Sequence, residues 1–106
     1  MKKINIDFKK GAGLVPAVIQ DYKSGEILML GFMNQEALDK TLESKWVYFW
    51  SIERKKLWMK GEESGNKLKV EEILMDCNKD TLLLKVELIG KNVCHTGSKN
   101  CFKEVI

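Results

Sequence analysis

The side chains with the widest chemical range crowd into the last third of the chain. Asp76, Cys77, Asn78, Lys79 and Asp80 form one short run; Cys94, His95, Thr96 and Gly97, followed by Cys101, form another. Together they hold all three cysteines and the single histidine. Zinc takes thiolates readily, and three thiolates leave one tetrahedral position for water, which distinguishes a catalytic site from a closed structural one. Water held in such a position becomes a usable nucleophile near neutral pH. Cys77 falls in an expected tight turn, and the stretch between Cys94 and Cys101, with Gly97, Ser98 and Asn100, can fold both sulfurs towards one point. The spacing lacks the paired C-x-x-C of zinc ribbons and the H-x-E with P-C-x-x-C of zinc deaminases. On spacing alone, buried free cysteines stand at even odds with a metal site.

Asp76 and Asp80, with Asn78 between them, offer the oxygen ligands that Mg²⁺ prefers. The same residue types are usual in turns, and without the neighbouring cysteines the turn would be the favoured reading. In an extended segment Cys94 and His95 point to opposite sides. His95 therefore reads as a general acid or base beside a metal, not as the partner of a Cys94 nucleophile. A lone histidine is otherwise most often a hydrogen-bonded structural group. The stretch 61–66, set between Lys60 and Lys67, could present backbone N–H groups to a phosphate. A hairpin loop needs the same residues, and Glu62 and Glu63 oppose an anion. Trp46, Trp50 and Trp58 could stack on a purine, although core packing is their first expected duty.

These groups need a scaffold, and its elements can be read from periodicity. Ile4, Ile6 and Phe8 alternate with polar residues as a short strand would. Residues 14–20 and 26–33 are apolar stretches around a turn at 22–25, an expected β-hairpin with Pro16 on an edge or near a strand start. Asn34 offers an N-cap to a helix over residues 35–44, whose narrow apolar face suits a helix lying on a sheet. Trp46, Tyr48 and Trp50 alternate with Val47 and Phe49, which predicts a strand apolar on both sides, central in a sheet or at an interface. Residues 57–60, 67–76 and 81–88 read as further strands, with 77–79 as a turn. The sum is a mainly β (α+β), mainly antiparallel fold with one capping helix.

Composition narrows the class. The chain has 106 residues, 44% hydrophobic and 31% charged, which suits one folded soluble domain covering residues 1–106. No signal peptide or membrane span is expected. The net charge of +3 is spread over scattered lysines and one arginine, Arg54, and not gathered in the stripe that a nucleic-acid binder needs. An odd number of cysteines without a secretory signal argues for a cytoplasmic protein with free or metal-bound thiols.

Several blocks, in order, resemble the phosphoribosyl-AMP cyclohydrolase family of histidine biosynthesis. They are Leu14-Val15-Pro16-Ala17, Met29-Leu30-Gly31-Phe32-Met33-Asn34, Phe49-Trp50-Ser51, Leu57-Trp58 with Lys60-Gly61-Glu62, Ser64-Gly65-Asn66, Asp76-Cys77, and Cys94-His95-Thr96-Gly97 with Cys101-Phe102. The resemblance moves the odds on the cysteines towards zinc. It implies a homodimer of helix-capped β pseudo-barrels, intertwined so that each active site draws on both chains. It implies hydrolysis of the N1–C6 bond of the adenine ring in phosphoribosyl-AMP by a zinc-activated water. By matching positions, Cys77, Cys94 and Cys101 would hold Zn²⁺, with Cys77 given by the other subunit, and Asp76, Asn78 and Asp80 would hold Mg²⁺. His95 would move protons, and Arg54, Lys60 and Ser64 would contact substrate.

Two positions depart from the family pattern. Asn78 stands where the family usually has Asp, which removes one carboxylate from the magnesium set. Ile52 and Glu53 precede Arg54 where the family commonly has an arginine-rich run. Many relatives carry a pyrophosphohydrolase domain downstream, an activity expected here from another protein. The remaining alternative is a non-catalytic module in which zinc stabilises the fold and His95 closes the fourth position.

Overall fold

The computed structural model describes residues 5–106, mainly sheet with one helix. Strands β1 (Val15–Asp21) and β2 (Ile27–Met33) form the expected hairpin, and Pro16 sits next to the start of its strand. Helix α1 (Gln35–Ser44) begins where Asn34 accepts the Ala37 N–H at 2.9 Å. It ends at Lys45, in the left-handed region at φ 68°. Strands β3 (Tyr48–Ser51) and β4 (Lys56–Met59) make a second hairpin, and β5 (Lys67–Met75) and β6 (Leu82–Ile89) a third.

The large sheet runs β2-β1-β6-β5, and β3-β4 is a separate two-stranded sheet. Pairing is mainly antiparallel, with one exception, since β1 and β6 run parallel from Ala17↔Leu82 to Asp21↔Val86. The sheets are open and do not close into a barrel. Two hairpins met at a parallel seam leave β2 and β5 as edges, and no described strand bridges them. β3 pairs with β4 alone, so it is not central in a sheet.

Alternation decides the core. Val15, Ala17 and Ile19 of β1, Leu82, Leu84 and Val86 of β6, and Leu68 and Val70 of β5 are buried on one face. Ala37 and Leu38 of α1 and Val47 and Phe49 join the same cluster. Thr41 is the single buried polar side chain among the described residues. Its hydroxyl donates to the Ala37 carbonyl and accepts the Tyr48 N–H, which ties α1 to β3. A Cβ on Gly31 would lie 2.5 Å from the Phe49 ring, so only glycine lets β2 pass over β3 there.

The N-terminal strand is not formed over residues 5–8; Ile4 lies outside the described residues. Asp7 accepts the Lys9 N–H through its carboxylate and donates its own N–H to the Lys79 carbonyl. These bonds hold the chain ahead of a 3₁₀ turn, Lys9–Gly11, where the expected strand would have had a sheet ladder, while Ile6 and Phe8 still pack on the core.

Candidate functional site

The loop after β6 brings two cysteines together. Cys94 is buried, Cys101 exposed, and the two thiols are near enough for each to shift the other's ionisation. The loop folds back on itself through Val93 N–H to Lys99 O and Cys94 N–H to Ser98 O, and the Cys101 N–H reaches the Leu28 carbonyl at 2.8 Å. The Thr96 hydroxyl stands 3.1 Å from the Cys94 sulfur. Hydrogen bonds from that hydroxyl and from the Thr96 backbone hold the Cys94 thiol down to about 7. Burial, and then the Cys94 sulfur beside it, push the Cys101 thiol up. The two thiols thus act on each other in opposite directions, Cys101 lowering Cys94 and Cys94 raising Cys101.

The far end of the loop is fastened to the first hairpin. Lys99 pairs with Glu26 at 3.0 Å and Asp21 at 3.5 Å, and Asn100 donates to Glu26. Hydrogen bonds from Asn100 and Lys99 hold the Glu26 carboxyl below its ordinary value. Burial alone would raise Asp21, but the Ser24 hydroxyl, the Lys23 N–H and Lys99 together hold it down.

Beside the thiols opens a recess of about 530 Å³, lined by Arg54, Lys60, Ser64, Cys94 and His95 among others. A second recess of about 440 Å³ shares Arg54 and Trp58 with it and reaches along Trp50 to Gly31. Arg54, Lys60, Ser64 and His95 are thus gathered with Cys94. Trp58 packs on Phe49, with ring centroids 5.4 Å apart, so packing is its first duty, as expected, while it also walls both recesses.

The other predicted cluster lies elsewhere. In the β5–β6 turn, Asp76 Oδ1 accepts the N–H groups of Asp80 and Thr81 at 3.0 and 3.1 Å. The Asp80 N–H leads, against desolvation, in holding the Asp76 carboxyl below its ordinary value. Lys10 reaches the Asn78 carbonyl at 2.9 Å and Asp80 at 3.6 Å. Cys77 is exposed on this turn. The register shows how far it stands from the other cysteines. Cys101 binds Leu28 near Gln20 and Lys85, whereas Cys77 lies two residues beyond Met75, the partner of Leu82. Five residues along a strand span about 16 Å. Accordingly, among the described residues no three His, Cys, Asp or Glu side chains of one chain come close enough to hold a metal. The donor set nevertheless fits half of a tetrahedral thiolate site: two neighbouring thiols on one loop, one of them readily ionised.

Sequence reasoning missed the anchors of the thiol loop. Asn66 donates to Asn92 and accepts the Lys91 N–H, and Lys60 donates to the Val93 carbonyl. Their partners lie more than twenty residues away, and no periodic pattern encodes such pairs; the only local signal is the Ser64-Gly65-Asn66 run.

Residues 29–103 match the family model described as phosphoribosyl-AMP cyclohydrolase. Over 99 residues the chain is 57% identical to the phosphoribosyl-AMP cyclohydrolase of Solibacter usitatus, covering 93% of this chain and 79% of that one. It is 56% identical over 97 residues to the one of Clostridium botulinum, covering 92% and 87%. It is 52% identical over 103 residues to that of Desulfatibacillum aliphaticivorans, covering 97% and 82%.

Proposed function

The chain belongs to the phosphoribosyl-AMP cyclohydrolase family, and from that membership we propose that it opens the adenine ring of phosphoribosyl-AMP by hydrolysis of the N1–C6 bond, a step of histidine biosynthesis. The observation that carries this reading is the pair of neighbouring thiols, Cys94 and Cys101, on one loop, with Cys94 lining a recess of a size that suits a nucleotide. Cys94 and Cys101 would hold zinc, and when bound zinc would supply an activated water. Ribosylation at N1 leaves C6 of the purine electrophilic. His95 is exposed and lines this recess, and in the proposed reaction it would carry a proton from water to N1 as the ring bond breaks. Arg54 and Ser64 line the same recess and are the groups proposed to meet a phosphate.

The third thiolate, Cys77, would come from a second copy of the chain. A row of apolar side chains, Leu30, Val18, Leu83 and Leu74, crosses all four strands on the face of the sheet opposite the core. Leu30 and Leu74 are exposed, and Phe32 beside Pro16 extends the patch towards the Asp76 turn. A contiguous apolar row of this kind on an exposed sheet face marks a surface suited to a partner. A partner seated there would cover it and stand next to Cys77. Asp76, Asn78 and Asp80 are proposed to hold magnesium in that same turn. A structural zinc module would gather four ligands in one chain, and the separation of Cys77 argues against it.

Absorbance-monitored turnover of phosphoribosyl-AMP by metal-defined protein tests the proposal. Zinc-dependent ring opening by the native chain, lost in Cys101→Ser, is the expected result. Absence of turnover by folded, zinc-loaded native protein would overturn it.

A further inference from the structure

Lys60 follows the last residue of β4, and its ammonium donates to the Val93 carbonyl at 2.7 Å. Val93 is buried and directly precedes Cys94. A lysine has a long, flexible stem and a strongly hydrated head, so on an open recess its head would ordinarily stay in water. Here the side chain is half-buried, with its ammonium 5.9 Å from the centroid of the Trp58 ring. Asn66 grips the same segment through Asn92 Oδ1 at 3.1 Å and the Lys91 N–H at 3.0 Å. Gly90 leaves the space for this grip, because a Cβ there would run into the Asn66 side chain. Residues 91–93 belong to no helix or strand, so these three bonds from the β4–β5 connection set where the loop begins. The ammonium bond is the one that carries charge, which makes it the strongest of the three.

We propose that Lys60 is a positioning residue: by holding the Val93 carbonyl it fixes the start of the loop so that the Cys94 and Cys101 sulfurs meet at one point, and it is not chiefly a contact to substrate phosphate. This rests on the reading of the two cysteines as zinc ligands. Apart from the Asn66 grip one and two residues earlier, the loop is fastened at its far end, through Lys99, Asn100 and Cys101. Freed at Val93, Cys94 would keep its chemistry but lose its place. Because groups that orient a metal's ligands typically carry 10–100-fold in metal affinity, the effect should be large enough to measure.

The test compares the native chain with Lys60→Met, Lys60→Gln and Lys60→Arg, using competition with a chromophoric chelator to read zinc affinity. Met keeps the stem over Trp58 without donor or charge, Gln restores a neutral donor, and Arg restores both. Zinc affinity should fall roughly tenfold or more in Lys60→Met, less in Lys60→Gln, and return to near native in Lys60→Arg. Hydrogen exchange on the metal-free proteins gives a second readout that does not need zinc. The amides of Val93, Cys94 and Gly97 should exchange faster in Lys60→Met while those of β1 and β6 stay protected. Native exchange in that loop, or native zinc affinity with a raised KM for phosphoribosyl-AMP alone, would overturn the inference. If Met does not fold, the same two outcomes are read on Gln. A failure of the zinc reading itself looks different: the native chain would then bind zinc no better than Cys101→Ser, and hydrogen exchange alone would decide the role of Lys60.

Discussion

The thiol loop and the acidic turn are both built around cysteine, yet they are held in opposite ways. The turn from Asp76 to Thr81 closes on itself: one carboxylate oxygen takes two backbone N–H groups, and the Asp76 N–H returns to the Thr81 carbonyl. The thiol loop depends on residues distant in sequence, with Lys60 and Asn66 at its start and Asp21, Glu26 and Leu28 at its end. A turn closed mainly by its own bonds, with Asp7 and Lys10 alone reaching it from a distance among the described residues, can present Cys77 outward. A loop held from both sides can keep two thiols close together although it has no regular structure. Neither region alone gathers three possible metal ligands among the described residues, and the proposed function requires them to meet between two chains.

The sharpest way to break this comparison is to disable each half separately. Cys77→Ser and Cys101→Ser should each lose zinc-dependent turnover altogether. If the halves come from different subunits, unfolding and refolding the two variants together should restore about one quarter of native turnover, since half of the dimers are mixed and each carries one complete site. No recovery, with dimers formed, would place all three cysteines in one chain's site and contradict the separation along the sheet. His95→Ala leaves both halves intact; kcat should fall roughly 10²-fold with zinc still bound. Near-native turnover would remove His95 from proton transfer.

The difference between the regions also explains what could be read from the sequence. The acidic turn was legible because its reasons are local: Asp and Asn flank a tight turn between two apolar stretches, and the strands before and after it fell close to their expected bounds. Asn34 and the residues after it gave the helix with its bounds for the same reason. The closeness of Cys94 and Cys101 was expected from loop composition, but the anchors were not, because a lysine 33 residues from its carbonyl leaves no pattern. The parallel pairing of β1 with β6 escaped for a related reason. Strand order is decided by which apolar faces meet, and alternation says only that a face is apolar.

A smaller effect is expected from Asn78→Asp in the turn. Restoring a carboxylate adds charge to a set of oxygen ligands that already includes Asp76 and Asp80, so the magnesium concentration for half-maximal turnover should fall roughly several-fold. An unchanged magnesium response would separate this turn from the metal requirement.

The smallest effect should come from the far anchor of the thiol loop. Glu26→Gln removes the charge facing Lys99 but keeps an acceptor for Asn100, and exposed ion pairs contribute little, so turnover at neutral pH should drop by about twofold at most. Its pH dependence carries the information. Glu26 and Asp21 both ionise more readily in the folded chain than their ordinary values of 4.5 and 3.8, so each stabilises the docked loop above those values and loses that contribution as the pH falls through its lowered one. The groups facing Glu26 there are Lys99, Asn100 and, across the same lysine, Asp21. Thermal unfolding of the native chain and of Glu26→Gln should therefore differ by a constant amount from about pH 5 upwards to neutrality, and converge as acid protonates the native carboxyl. A difference that persisted undiminished below the lowered Glu26 value would mean that the side chain acts through packing, and the contrast between a charge-fastened loop and a self-closed turn would then hold only at its Lys60 end.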